Sequence, residues 1–325
     1  MKMNNTTLIA IGELLVEFVS HQKGCELSML GAYSGPYPSG APAIFVDQAA
    51  RCGANAMMIG SLGNDGFGRI LKRRLIDDGV RTSAIQTADN LTTGVAFVSY
   101  NDDGSRNFIF HLSDTAADAV NFDPLYLPEG DLILHVSGSS LGNASLRRQI
   151  MLAVDAVLAR GGRISCDPNA RLELMKNSEA RESLLELISK SSILLPSSAD
   201  LEFLYPDFTE KEALDQMLGG PAEFVVLKRG SDGVTVLTEN ETFDLPPYDV
   251  SEVDPTGAGD CFCGTFVAQI IGGAPIKTAA ELANAAGALS VTRRGPMEGN
   301  SGLDEIQQFI DSHGLLNPRS IRGNP

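Results

Sequence analysis

Residues 254–260 read D-P-T-G-A-G-D and run at once into C-F-C-G-T-F-V-A-Q-I-I, residues 261–271. The apolar, proline-free run predicts a helix over 260–271. Gly257 and Gly259 in front of it let the backbone approach a ligand closely and turn successive N–H groups inward. The helix adds its unpaired first-turn donors and the positive end of its dipole, so the junction suits an anion. Asp260 sits where helical periodicity begins. Its plain role is a helix N-cap, but a cap alone needs no two glycines ahead of it. The chemical alternative gives each part a task. Amides of the G-A-G turn hold charge on a transferring phosphoryl group, while Asp260 takes the proton of the attacking hydroxyl.

Around this junction, short apolar runs alternate with amphipathic stretches. Strands are predicted at 8–11, 56–59, 132–136, 163–166, 193–195 and 224–227. Helices are predicted at 41–52, 66–78, 145–160, 178–190, 210–218 and 277–292. Continuous apolar strands separated by helices imply a parallel sheet covered on both faces, with ligands beyond the carboxyl ends of its strands. Residues 93–110 break the rhythm with two alternating runs around N-D-D-G, a hairpin signal. That hairpin is expected to form a flap with the stretch from Glu13 to Tyr37. The tail from Leu316 reads as loop.

The chain has 325 residues, 43% of them apolar, enough for a large core. A net charge of −16 excludes a phosphate backbone or an anionic membrane as the expected partner. The N-terminal apolar run is interrupted by Glu13 and Glu17, unlike a signal peptide or a membrane span. Five cysteines (25, 52, 166, 261 and 263) at irregular spacing point to reduced, buried thiols in a cytoplasmic protein. Cys261 and Cys263 form C-x-C with no second pair, so core packing is expected rather than zinc. The four histidines (21, 111, 135 and 313) form no ligand spacing.

Two other motifs bear on chemistry. No G-x-x-x-x-G-K-[ST] occurs, so a Walker-type loop is not expected. Gly138-Ser139-Ser140-Leu141-Gly142 matches G-x-S-x-G after a strand, which allows a hydrolase elbow with Ser140 and His313. Its plain reading is a glycine–serine turn.

The block D-P-T-G-A-G-D-C-F-C-G resembles the C-terminal signature of the ribokinase-like, or PfkB-type, carbohydrate kinases. Further segments resemble the family in the same order: I-G-E-L-L-V-E-F, S-G-A-P-A-I, S-L-G-N-D-G-F-G-R, D-P-N-A-R (167–171), L-K-R-G-S-D-G (227–233) and A-N-A-A-G-A-L-S-V (283–291). The resemblance implies one α/β domain spanning 1–325, a three-layer α/β/α core with a small β-sheet lid from about 13–37 and 91–113. It implies ATP-dependent phosphorylation of a sugar hydroxyl with Mg²⁺, in the cytoplasm. The expected substrate is a keto-hexose of the fructose or tagatose type. A 2-keto-3-deoxygluconate kinase and a nucleoside kinase of the same fold are the alternatives.

The resemblance also assigns residues. Asp260 is the base, with Gly257, Ala258 and Gly259 the anion hole. Glu17, Gly40, Asn169 and Arg171 lie on the sugar side. Lys228, Gly230, Gly233 and Asn284 lie where the family holds its nucleotide; a solvated strand end and an exposed helix position are the plain readings of Lys228 and Asn284. Asp254, Thr256, Ser290 and Gly295 match its monovalent-cation (K⁺) site. A homodimer through the lid is a further expectation. Departures fall at Ser39, Ile44, Leu112 and the Ser197–Asp200 segment, where the family usually carries Gly, Asn, Arg and N-x-x-E.

Overall fold

The structure is a computed structural model and describes residues 6–24, 26–102, 106–170 and 178–323. Its first strand, β1 (Thr7–Ile11), is buried at every position. It leads into β2 (Leu15–Lys23) and β3 (Tyr33–Ser39), then α1 (Ala41–Arg51), β4 (Asn55–Gly63), α2 (Gly66–Asp77) and β5 (Arg81–Ala88). The predicted hairpin forms β6 (Gly94–Tyr100) and β7 (Arg106–His111). Next come β8 (Leu132–Ser137), α3 (Ala144–Ala159), β9 (Arg163–Asp167), α4 (Ser178–Ser189), β10 (Ile193–Leu194), α5 (Ser198–Leu204) and α6 (Glu210–Leu218). The last elements are β11 (Phe224–Lys228), β12 (Val234–Leu237), β13 (Glu241–Leu245), α7 (Ala258–Ile271), α8 (Ile276–Ser290), α9 (Leu303–His313) and β14 (Arg319–Gly323).

Ten strands make one sheet in the order β14-β13-β12-β11-β10-β9-β8-β1-β4-β5. Pairing is parallel from β11 to β5 and antiparallel from β11 to β14. Alternate side chains of a strand face opposite sides, and β1 shows the consequence. Leu8 and Ala10 join a core with α1, α7 and α8, whereas Ile9 and Ile11 join a second core with α3, α4 and α6. Burial on both faces is why these strands read as unbroken apolar runs. The result is a three-layer α/β/α fold of the ribokinase-like class.

A separate four-stranded sheet, β3-β2-β6-β7, draws on the two expected segments. Strand β2 pairs parallel with β6 and antiparallel with β3, Leu15 opposite both Ser39 and Gly94. The chain therefore crosses from the large sheet to the small one within Gly12–Leu14.

The structure departs from expectation at the C-terminus. The tail is not loop throughout: β14 pairs antiparallel with β13, Asp244 opposite Arg319. Its proline and glycine punctuation gave no strand signal, because an edge strand needs only a partner's backbone and little burial. No helix among the described residues is long and apolar enough to cross a membrane.

Candidate active site

Helix α7 starts at Ala258, with Gly257 as its N-cap residue at φ 81° and no side-chain capping bond. Asp260 is therefore not the cap but the third helical residue, and the plain capping reading of this carboxylate fails. Gly257 is required twice over. Its φ is left-handed, and a Cβ there would stand 2.4 Å from Pro296 O. Gly259 is different, since an added Cβ would meet only Lys228 Nζ, at 3.5 Å. The space above the turn is thus left open, as a cradle for a phosphate needs. The amides of Ala258, Gly259 and Asp260 open the helix, where no residue four back supplies a helical carbonyl. Ala258 N reaches Pro255 O only at 3.4 Å.

Asp260 is 8% exposed and lines a cleft between the two sheets. The same cleft is lined by Glu17, Gly40, Asn169, Thr256 and Gly257 among the residues singled out in the sequence. Glu17 on β2 accepts from Ser39 Oγ at 2.6 Å. Gly40, at φ 108°, caps α1, and a Cβ would fall 2.5 Å from Glu13 O. Asn169 follows β9 at φ 36°, its amide N–H bonded to Asp167 Oδ1 at 3.2 Å. Arg171 lies outside the described residues.

Sequence reasoning missed other lining residues. Glu13, Ser139, Phe108 and Phe110 all face the cleft. A signal for Glu13 existed, a second carboxylate in an otherwise apolar run. The three departures Ser39, Ile44 and Leu112 also line it, so they change the pocket and not some distant surface. Among the described residues, no basic side chain appears in this lining.

Lys228, at the end of β11, is no solvated strand end. Its Nζ lies 2.5 Å from Asp167 Oδ2 and 3.4 Å from Cys263 Sγ, with both side chains of the ion pair largely buried. Burial alone would discharge the ammonium, but the Asp167 carboxylate outweighs it and holds the pKa well above the ordinary lysine value. Gly230 and Gly233 flank the turn into β12 at φ 56° and 87°. Asn284 on α8 is not exposed but 8% accessible, with Nδ2 bonded to Pro246 O at 2.7 Å. Gly230, Gly233 and Asn284 lie outside the cleft lining.

The candidate cation ligands are partly brought together. Asp254 Oδ1 accepts from Thr256 N at 3.0 Å and from the Tyr100 hydroxyl, and Oδ2 accepts from Gly295 N at 2.9 Å. Ser290 Oγ turns instead to Gly287 O, at 2.7 Å. Carboxylate, hydroxyl and carbonyl oxygens suit a hard monovalent cation, yet one binding Asp254 Oδ1 would first displace the phenol of Tyr100. Among the described residues, no three His, Cys, Asp or Glu side chains come together to hold a metal ion by themselves. Asp200 is committed elsewhere: it completes a capping box with Ser197 and accepts from Ala170 N at 2.7 Å.

The hydrolase reading is not supported by the geometry. Gly138–Gly142 is a 3₁₀ turn and not a strand-to-helix elbow. The Ser140 hydroxyl is bonded to Glu13 Oε2, whereas the His313 ring stacks on Phe309 and its Nδ1 lies 2.9 Å from Phe309 O.

A two-sheet ribokinase-like fold with a buried carboxylate at a helix-end anion cradle defines a phosphotransferase acting on alcohols. The comparisons agree. The family model "pfkB family carbohydrate kinase" matches residues 5–301, and the chain belongs to that family. Probable fructokinase-3 of Arabidopsis thaliana is 30% identical, over 89% of this chain and 86% of that protein. Fructokinase-1 of Oryza sativa subsp. japonica is 28% identical, over 94% of this chain and 98% of that one. Among solved structures, an E. coli protein provisionally assigned as a ribokinase II, in complex with ATP and Mg²⁺, superposes with a TM-score of 0.89 and 41% identity. That match covers 95% of this chain and all of the other.

Proposed function

We propose that this carbohydrate kinase transfers the γ-phosphate of ATP to a hydroxyl of a neutral keto-hexose, of the fructose or tagatose type. The observation that carries this reading is the cleft itself. Asp260 and the α7 amides close one end, and Glu17, Asn169 and the Gly40 backbone line the rest. Carboxylate and amide groups can take several sugar hydroxyls at once. Among the described residues the lining holds two acids, Glu13 and Glu17, and no basic side chain, which favours a neutral sugar. Fructokinase relatives point the same way.

The nucleotide would lie over the α7 turn. Its phosphates would meet the amides of Gly257, Ala258 and Gly259 and the Lys228 ammonium, and its base would lie toward Gly230, Gly233 and Asn284. Mg²⁺ would arrive on those phosphates, since the ion keeps waters and substrate oxygens and needs few protein ligands. Asp260 deprotonates the acceptor hydroxyl. The small sheet would act as the lid, excluding water that would otherwise accept the phosphoryl group. Its strands also present Phe97 and Ile109, paired in register and 38% and 53% exposed. A homodimer through that sheet follows, and sedimentation equilibrium showing only monomer removes it. Four described cysteines are free and buried, which suits a reducing cytoplasm.

One observation favours a second reading. Phe108 and Phe110 line the cleft with ring centroids 5.2 Å apart, and aromatic rings could pack a nucleobase. ADP release is therefore to be measured with fructose, tagatose, ribose, 2-keto-3-deoxygluconate and adenosine, each in KCl and in tetramethylammonium chloride. A ketose should give the highest kcat/KM. Preference for adenosine or for the keto-acid would overturn the substrate assignment, and equal rates in the two salts would remove K⁺.

A further inference from the structure

The Gly138–Gly142 turn carries hydroxyls for which phosphoryl transfer gives no task. Their partners form one connected path. Asn169 Nδ2 donates to Ser137 Oγ at 3.1 Å, Ser137 Oγ lies 2.9 Å from Ser139 Oγ, and Ser139 Oγ donates to Glu13 Oε1 at 3.5 Å. Ser140 Oγ serves the other oxygen, Oε2. Glu13 and all three serines are at most 7% exposed, so water does not compete freely for these bonds. Glu13, Ser139 and Asn169 meet the cleft.

Proton counting fixes the sense of this path. A serine hydroxyl has a single proton. Glu13 Oε1 accepts from Ser139, which leaves Ser139 only lone pairs for Ser137. Ser137 must then spend its proton on Ser139, and can only accept from Asn169. The sense survives protonation of Glu13, whose proton would sit on Oε2 beside Ser140. Burial pushes the Glu13 carboxyl above its usual range, against the pull of Ser140, its own backbone and Ser139.

The geometry points to Glu13 as a positioning residue. Through Ser139 and Ser137 it locks the Asn169 amide with nitrogen inward, so that the amide oxygen faces the cleft to accept a substrate hydroxyl. The Asn169 backbone is held in the same place by the Asp167 and Asp200 carboxylates, the latter through Ala170 N. Without Glu13 the hydroxyls could reverse, and the amide could turn its NH₂ outward instead.

This inference rests on the sugar-kinase reading, and the test separates the two. Glu13→Met, Glu13→Gln, Ser139→Ala and Asn169→Ala are assayed with whichever of fructose and tagatose the wild-type enzyme prefers. Glu13→Met should raise the sugar KM about three- to tenfold, the worth of one neutral hydrogen bond, with smaller changes in kcat and in the KM for ATP. Ser139→Ala should reproduce that rise and remains informative should Glu13→Met not fold. Glu13→Gln should recover most of the loss, because an amide oxygen can still take the Ser139 proton. In an Asn169→Ala background, Glu13→Met should add nothing to the sugar KM. Losses that multiply instead, or a Ser139→Ala enzyme with unaltered sugar KM, overturn the positioning role. Wild-type enzyme that phosphorylates neither ketose brings down the keto-hexose assignment instead.

Discussion

Asp260→Asn should fold, bind ATP nearly as wild type does, and turn over about 10²–10⁴-fold more slowly, the range expected for one acid–base group. The substitution keeps the shape of the side chain and its place as third residue of α7. It also keeps the amides of Ala258 and Gly259, on which the nucleotide phosphates would rest. What it removes is the capacity to accept a proton from the sugar hydroxyl. Losing a negative charge in a first helical turn costs only about 0.3–1 kcal/mol, so the unfolding transition should move little. The distinguishing measurement is a pair: kcat from steady-state ADP release, and ATP affinity from calorimetry. A variant retaining near-wild-type kcat would show that Asp260 is not the base. Loss of ATP affinity in step with kcat would assign this carboxylate to holding the cradle's shape.

Much of this was legible in the sequence, and the parts that were not share physical causes. Buried parallel strands such as 8–11 and 132–136 declare themselves, because burial on both faces leaves no polar position. Strand β14 did not, since its pairing is decided by an exposed backbone edge supplied by β13. The D-P-T-G-A-G-D junction was readable because turn and helix-end chemistry are local. The helix predicted from 260 opens two residues earlier, at Ala258, because Gly257 at a left-handed φ can open it without a side chain. Glu13 and the serines were unreadable as a unit. Hydrogen bonds between residues 13, 137, 139 and 169 cross from one strand end to another, and no spacing in the chain encodes them. The hydroxyl of Tyr100 on Asp254 is the same kind of fact, a contact between β6 and the loop that leads into α7. For Lys228 the plain reading of a solvated strand end stayed open beside nucleotide binding, because nothing nearby announces Asp167, 61 residues away along the chain.

That ion pair makes Lys228→Met the substitution with the largest expected effect on stability. Lys228 and Asp167 side chains are 13% and 3% exposed. Removing one partner of such a buried pair costs about 3–5 kcal/mol, because the remaining charge has lost its counter-ion and cannot reach water. The pH dependence gives the sign. In the variant, Asp167 lacks the ammonium and burial raises its folded pKa above the unfolded value. The folded state then favours the protonated acid, so stability is retained at low pH and lost as pH rises through the raised pKa. Lys228→Met should therefore be weakened more at pH 8 than at pH 5 in denaturant unfolding. Adding Asp167→Asn to it removes the stranded charge and should restore most of the stability and flatten that pH dependence. It should not restore catalysis, because the ammonium beside Gly259 is the cation expected to meet the nucleotide phosphates. A double variant that regains both stability and turnover would make Lys228 structural only. A single variant as stable as wild type at pH 8 would show that the pair does not hold the fold.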